Sequence, residues 1–137
     1  MLQFEPREMS GSMLSGTVLV VDDDPPLLRT MRVFLTRRSY EVVTCGSAAE
    51  ALEKFQAAPG TFSVIVVDMT LRGMPAEQLI EQVLKIDRHL AVIVTSGYPV
   101  RLPLSANSSG RQIVALQKPF TPDAFVQTIE QMLSSRR

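Results

Sequence analysis

Three short runs of Val and Ile constrain the fold of this chain more than any other feature. They span 17–21, 63–67 and 91–94, and none of them alternates with polar residues. Unbroken apolar runs of this length are typical of strands that are buried on both faces, as in a parallel sheet. Two weaker runs, at 41–45 and 112–116, predict two further strands.

Amphipathic helical patterns separate these runs. Apolar residues recur at helical spacing after Pro25, Ser47, Pro75 and Pro122. The stretch 101–110 is rich in Pro, Ser, Asn and Gly, and it predicts one turn or a loop where another helix would be expected. The resulting order, βαβαβαβ(α)βα, predicts an α/β fold with a single doubly wound five-stranded parallel sheet and helices on both faces.

Length and composition are consistent with one domain. The 137 residues are 45% hydrophobic and 20% charged, which allows a packed core. Fourteen basic residues balance fourteen acidic ones, which argues against a nucleic-acid-binding surface. The apolar runs are too short to cross a bilayer, and the single Cys45 cannot form an internal disulfide. Residues 1–16 are interpreted as a disordered lead-in or linker, and 135–137 as a tail.

Acidic and basic residues follow the ends of four predicted strands. The carboxyl ends of parallel strands meet at one edge of a sheet, so we expect these side chains to converge there. Crowded carboxylates raise one another's pKa unless a cation offsets them, and oxygen ligands of this kind suit Mg²⁺. In order along the chain the residues are Asp22, Asp23, Asp24, Asp68, Thr95, Ser96 and Lys118.

This combination of groups suits phosphoryl transfer. A carboxylate can act as nucleophile and form an aspartyl phosphate, while a metal ion, a lysine and a hydroxyl stabilise the phosphoryl oxygens. Asp68 follows a buried run directly, which favours a functional role for it. Asp24 is followed at once by Pro25 and is better explained as a helix cap. His89 is the only histidine, so a histidine-based metal site has little support.

Four motifs give the chain a clear family resemblance. In order, they are VVDDDP at 20–25, VVD at 66–68, VTSG at 94–97 and LQKPF at 116–120. Over about residues 17–134 the chain resembles the receiver domain of response regulators, which has the CheY-like, flavodoxin-like fold. The segments 95–99 and 116–122 look most like receivers at the carboxyl end of hybrid histidine kinases.

The resemblance implies roles for the matched residues in phosphorylation. Asp68 would be the phosphoacceptor, Lys118 would pair with the phosphoryl group, and Lys118–Pro119 would be a cis peptide. Thr95 and Ser96 both offer a switch hydroxyl. We choose Ser96, because a small residue follows it and because its separation from Lys118 suits the family pattern better.

The resemblance also implies a Mg²⁺ site. Asp23 would bind the ion directly and Asp22 would help through water. Asp68 and the backbone carbonyl of Thr70 would complete the protein ligands. Thr70 and Tyr98 would flank the path of the hydrolytic water. Because neither is an acid or an amide that would orient that water, they predict a long-lived phosphoryl group.

The chain departs from the family pattern at several positions. Arg72 replaces the usual proline, and Pro75 and Ala76 replace a common Asp or Asn and a common Gly. Ala115 stands where the family has an aromatic switch residue. These departures, together with the degraded helix at 101–110, leave phosphorylation intact but predict an unusual output.

The resemblance implies a partner that is a histidine kinase or a histidine phosphotransfer domain. It further implies a cytoplasmic location, no direct contact with nucleic acid or membrane, and a monomer or weak dimer. The domain would not be an enzyme beyond assisting its own phosphorylation and dephosphorylation. Two alternatives remain. One is a haloacid-dehalogenase-like phosphatase using Asp22 and Asp24, which Pro26 disfavours. The other is a pseudo-receiver that binds partners without phosphorylation, which the complete acidic set disfavours.

Overall fold

Strands and helices alternate along the chain in the computed structural model, which describes residues 16–101 and 113–135. The five strands are β1 (Thr17–Val21), β2 (Glu41–Cys45), β3 (Phe62–Asp68), β4 (Ala91–Ser96) and β5 (Ile113–Gln117). The four helices within these ranges are α1 (Pro25–Arg37), α2 (Ala48–Ala57), α3 (Ala76–Ile86) and α4 (Pro122–Ser135). Labels count only the described helices, so α4 is the helix that follows β5.

All five strands run parallel in the order β2-β1-β3-β4-β5. β1 and β3 are therefore neighbours in the interior of the sheet, and β2 and β5 lie at its edges. Since every strand points the same way, the residues that follow β1, β3, β4 and β5 meet at one edge of the molecule. The predicted doubly wound sheet is confirmed.

Each face of the sheet carries its own hydrophobic core. Leu19 and Val21 of β1 point to the side covered by α2 and α3, where Phe55 and Leu79 are buried. The alternate β1 residues, such as Val20, point to the side covered by α1 and α4. This two-sided burial explains why the strands read as unbroken apolar runs.

Helix starts follow the local chemistry of the sequence. Asp24 caps α1 by accepting a hydrogen bond from the N–H of Leu27 at 3.4 Å, and two prolines occupy the first turn. Ser47 caps α2 in the same way, through the N–H of Glu50 at 3.2 Å. The cap interpretation of Asp24 is thus confirmed, which removes its side chain from the set available for catalysis.

The strand bounds differ slightly from the predicted ones. β3 runs through Asp68 and β4 runs through Ser96, so these two polar residues belong to the strands rather than following them. The predicted loop or turn at 101–110 lies outside the described residues apart from Arg101. The lead-in before Gly16 and the last two residues of the tail also lie outside them. Within the described ranges, no helix is long and apolar enough to cross a bilayer.

Candidate functional site

Three carboxylates meet where β1 and β3 end. One oxygen from each of Asp22, Asp23 and Asp68 lies within 4.8 Å of the others. Asp22 and Asp68 are buried, with 1% and 2% of their surface exposed, whereas Asp23 faces solvent. The adjacency of β1 and β3 produces this cluster, because the register pairs Val21 with Val67 immediately before the acidic residues.

Lys118 approaches the cluster from the loop after β5. Its Nζ lies 3.0 Å from Asp22 Oδ2 and 3.6 Å from Asp68 Oδ2. The Lys118–Pro119 peptide is cis, as expected, and the backbone N–H of Lys118 donates to the carbonyl of Ser96 at 2.6 Å. The ammonium is therefore directed between the two buried carboxylates, where the sequence predicted a fixed positive charge.

Burial and the pairing of Lys118 with the carboxylates shift the pKa values of these groups in opposite directions. Burial alone would lower the pKa of the Lys118 ammonium, but the hydrogen bond and charge of Asp22, with the charge of Asp68, outweigh it and raise that pKa. Burial is also the main reason that the pKa of Asp22 is raised, against the opposing hydrogen bond from Lys118. Lys118 thus stays charged, and Asp22 would gain from a further cation nearby.

Each of the two buried carboxylates is held by a local turn of the same kind. Oδ1 of Asp22 accepts the backbone N–H of Asp24 at 3.0 Å, and Oδ1 of Asp68 accepts the backbone N–H of Thr70 at 3.2 Å. Short polar side chains commonly bond to the backbone two residues on. This arrangement turns Oδ2 of each carboxylate toward Lys118.

The side chain of Thr70 makes a contact that the sequence analysis missed. Its hydroxyl lies 3.1 Å from Oδ1 and 3.0 Å from Oδ2 of Asp68, and so donates to the expected phosphoacceptor. The sequence analysis assigns Thr70 a backbone carbonyl that binds Mg²⁺ and a place beside the path of the hydrolytic water, and both roles stay predictions. The available signal was the Asp-x-Thr spacing, which places a hydroxyl within reach of the preceding carboxylate.

The two hydroxyls at the end of β4 have different surroundings. Ser96 Oγ accepts the backbone N–H of Tyr98 at 3.1 Å. Thr95 pairs with Asp68 in the sheet register, and its buried Oγ1 has no hydrogen-bond partner among the described residues. Thr95 is therefore next to Asp68 in the sheet, and Ser96 is the following residue of β4. The choice of Ser96 as the switch hydroxyl stays a prediction.

Tyr98 and Ala115 do not join the acidic cluster. They line a neighbouring cavity of about 220 Å³ between the end of β4 and the edge strand β5, together with Ser96 and Val100. Tyr98 is 55% exposed, and Ala115 is exposed as well. Among the residues that the structure describes, no side chain fills the space beside Ala115, where the family has an aromatic ring.

The acidic cluster fits a hard divalent cation. Its donors are carboxylate oxygens, which Mg²⁺ prefers, and the raised pKa of Asp22 indicates that negative charge there is not fully compensated. Receiver domains in general bind Mg²⁺ at an aspartate cluster. Asp22, Asp23 and Asp68 are the residues here that would hold the ion.

Comparisons with known proteins give consistent results. A sequence model of the response regulator receiver domain matches residues 18–130. A two-component response regulator of Arabidopsis thaliana, ARR11, is 35% identical over 97 residues, which are 69% of this chain and 19% of that protein. The transcriptional regulatory protein DctD of Pseudomonas aeruginosa is 32% identical over 123 residues, 88% of this chain and 26% of that protein. The chain thus spans about a quarter or less of these relatives.

The fold comparison agrees with the sequence comparison. A CheY-like receiver domain protein from Methanospirillum hungatei superposes with a TM-score of 0.77 at 27% identity, covering 89% of this chain and 96% of that one. A receiver protein from Sinorhizobium medicae gives a TM-score of 0.78 at 25% identity, covering 90% of this chain and 98% of that one. Both structures match nearly end to end.

Proposed function

The chain belongs to the response regulator receiver domain family, and we propose that it accepts a phosphoryl group on Asp68 within a two-component system or phosphorelay. One observation carries the proposal. The buried Asp68 carboxylate ends β3 within 3.6 Å of the Lys118 ammonium and beside two further carboxylates. In the reaction, a carboxylate oxygen of Asp68 bonds to phosphorus as the bond between phosphorus and the donor imidazole nitrogen breaks.

The surrounding groups stabilise charge during that transfer. Lys118 neutralises the phosphoryl oxygens from the β5 side, and Ser96 offers a hydroxyl from β4. Asp22, Asp23, Asp68 and the Thr70 carbonyl would hold Mg²⁺. When bound, the ion supplies positive charge against the phosphoryl oxygens.

The donor is a phosphohistidine on a histidine kinase or a histidine phosphotransfer domain, the partners of receiver domains in two-component systems. The segments 95–99 and 116–122 favour a receiver from a hybrid histidine kinase. The domain is a cytoplasmic monomer or weak dimer, has no direct contact with nucleic acid or membrane, and acts on no substrate other than its own phosphoryl group.

The phosphatase alternative has less support from the geometry. It needs Asp22 as nucleophile and Asp24 as acid, but the Asp24 side chain accepts the N–H of Leu27 at the start of α1. Asp24 therefore does not face the cluster that contains Asp22. The pseudo-receiver alternative is disfavoured because each residue needed for phosphorylation is present.

Labelling with acetyl phosphate and Mg²⁺, read by intact-protein mass spectrometry, tests the proposal. We expect one phosphoryl group on the wild type, and none on Asp68→Asn or when Mg²⁺ is omitted. Asp24→Asn is the matched control, because it keeps the helix cap and should still be labelled. Undiminished labelling of folded Asp68→Asn would refute the assignment. Labelling that persists in Asp68→Asn and is lost in Asp22→Asn would instead favour the phosphatase chemistry, in which Asp22 is the nucleophile.

A further inference from the structure

The cavity between β4 and β5 adjoins the proposed phosphorylation site through one residue. Ser96 lines the cavity and also follows Thr95, which pairs with Asp68 in the sheet. The far wall is β5, which contributes the small Ala115, and the residues that the structure describes leave the space beside it unfilled. A cavity of roughly 150 Å³ is large enough to admit a benzene molecule. The volume here, about 220 Å³, therefore accommodates a phenol ring.

Tyr98 lies beside this cavity and is one of three exposed large hydrophobic residues among those that the structure describes. It contributes to the lining, yet 55% of its surface is exposed. Apart from the two residues that flank the neighbouring Gly97, no described residue has an atom within 4 Å of the place where a Cβ on Gly97 would stand, so within the described ranges nothing packs closely on that side of the turn. The ring thus has both a reason to move, since burial of an aromatic side chain is favourable, and the room to do so.

A hydrogen bond connects Tyr98 to the switch hydroxyl. Ser96 Oγ accepts the backbone N–H of Tyr98 at 3.1 Å. A phosphoryl group on Asp68 offers strong acceptor oxygens for the same hydroxyl. When Ser96 rotates to donate to those oxygens, its bond to the Tyr98 backbone changes, and the turn at 97–99 is free to rearrange.

We propose that the cavity beside Ala115 is the receiving site for the Tyr98 ring, which enters it from the β4 side when Asp68 is phosphorylated. This inference rests on the proposed phosphorylation of Asp68. The family has an aromatic switch residue on β5, but here that position is Ala115. Under this proposal the ring that moves is Tyr98, which follows β4, and the turn at 97–99 is the first segment to change when Asp68 is phosphorylated.

The tyrosine content of the chain allows a direct test. The sequence has two tyrosines and no tryptophan, so Tyr40→Phe leaves Tyr98 as the only tyrosine fluorophore. In the full chain with this substitution, we expect acrylamide quenching to fall several-fold on adding beryllofluoride and Mg²⁺, because the buried ring no longer meets the quencher. Ala115→Phe fills the cavity and should largely abolish that fall. Ala57→Phe, at an exposed position of α2, is the matched control and should retain it.

Mass spectrometry after acetyl phosphate treatment accompanies each quenching measurement and separates the two ways of failing. If Asp68 is labelled but quenching of Tyr98 does not change, the inference is wrong and the proposed function stands. An equal fall in Ala115→Phe would mean that the ring is buried elsewhere, which also overturns the inference. If Asp68 is not labelled, both are overturned.

Discussion

The two sides of the same sheet edge are built differently. Above β1 and β3, Asp22 and Asp68 are buried, and each has one oxygen fixed by a backbone N–H while the other faces Lys118. Above β4 and β5, Tyr98 is half exposed beside an unfilled cavity. Groups that stabilise a transition state work best when they are fixed in advance, whereas a response requires an element with somewhere to move. We call the side of β1 and β3 the rigid half, because hydrogen bonds hold its carboxylates in place. We call the side of the Tyr98 cavity the loose half, because its ring is half exposed and has space beside it.

The largest predicted effect is a loss of stability, measured by making the same isoleucine-to-alanine substitution in each half. Ile65 of β3 is fully buried, and Ile113 of β5 is only partly so. We expect Ile65→Ala to lower the free energy of unfolding by roughly 2–5 kcal/mol, because it leaves a cavity in the core. Ile113→Ala should cost about 1 kcal/mol. Urea denaturation measures both, and equal losses would show that the β5 side is packed as tightly as the centre.

The next effect tests whether the rigid half performs the chemistry. Lys118→Met keeps the side-chain length but removes the charge between two carboxylates, so phosphorylation by acetyl phosphate should slow by roughly 100-fold, as when one preorganised donor is lost. The control is Lys54→Met, since Lys54 is exposed and, within the described part of the chain, forms its one ion pair with Glu50 on its own helix, at 3.6 Å. Rates come from the time course of labelling. A similar rate in Lys118→Met and the control would remove Lys118 from the mechanism.

The smallest effect concerns the lifetime of the phosphoryl group. Once the bulky Tyr98 ring occupies the cavity beside Ser96, it should limit the approach of water from the β4 side of the site. We expect Tyr98→Ala to speed dephosphorylation by a few-fold and Tyr98→Phe to leave it unchanged, because the ring rather than its hydroxyl does the shielding. Phosphorus NMR of the decaying aspartyl phosphate provides the measurement. Unaltered decay in Tyr98→Ala would mean that the loose half does not influence the rigid one.

The rigid half was largely predictable from the sequence. Buried parallel strands read as apolar runs, and the rule that their carboxyl ends meet at one edge was enough to group Asp22, Asp68 and Lys118. The position of each group depends on strand register, which two-sided burial specifies strongly. Even the cap formed by Asp24 followed from the proline after it.

The loose half was less predictable, for a physical reason. The sequence shows that Ala115 is small, but the volume left beside it depends on how β5 sits against β4 and where the Tyr98 ring lies. The hydroxyl of Thr70 was overlooked because its bond to Asp68 requires one side-chain rotamer among several. Short polar side chains and exposed rings have alternatives of similar energy, so their contacts do not follow from spacing alone.

The interior position of β1 and β3 affects what fraction of the molecules has a folded acceptor strand at any moment. A strand bonded on both sides cannot open without breaking two ladders, so such strands usually open only when the whole domain unfolds. The structure around the acceptor residue Asp68 is therefore lost in one all-or-none unfolding step rather than gradually. The global stability of the domain therefore sets the fraction of molecules in which Asp68 ends a folded strand.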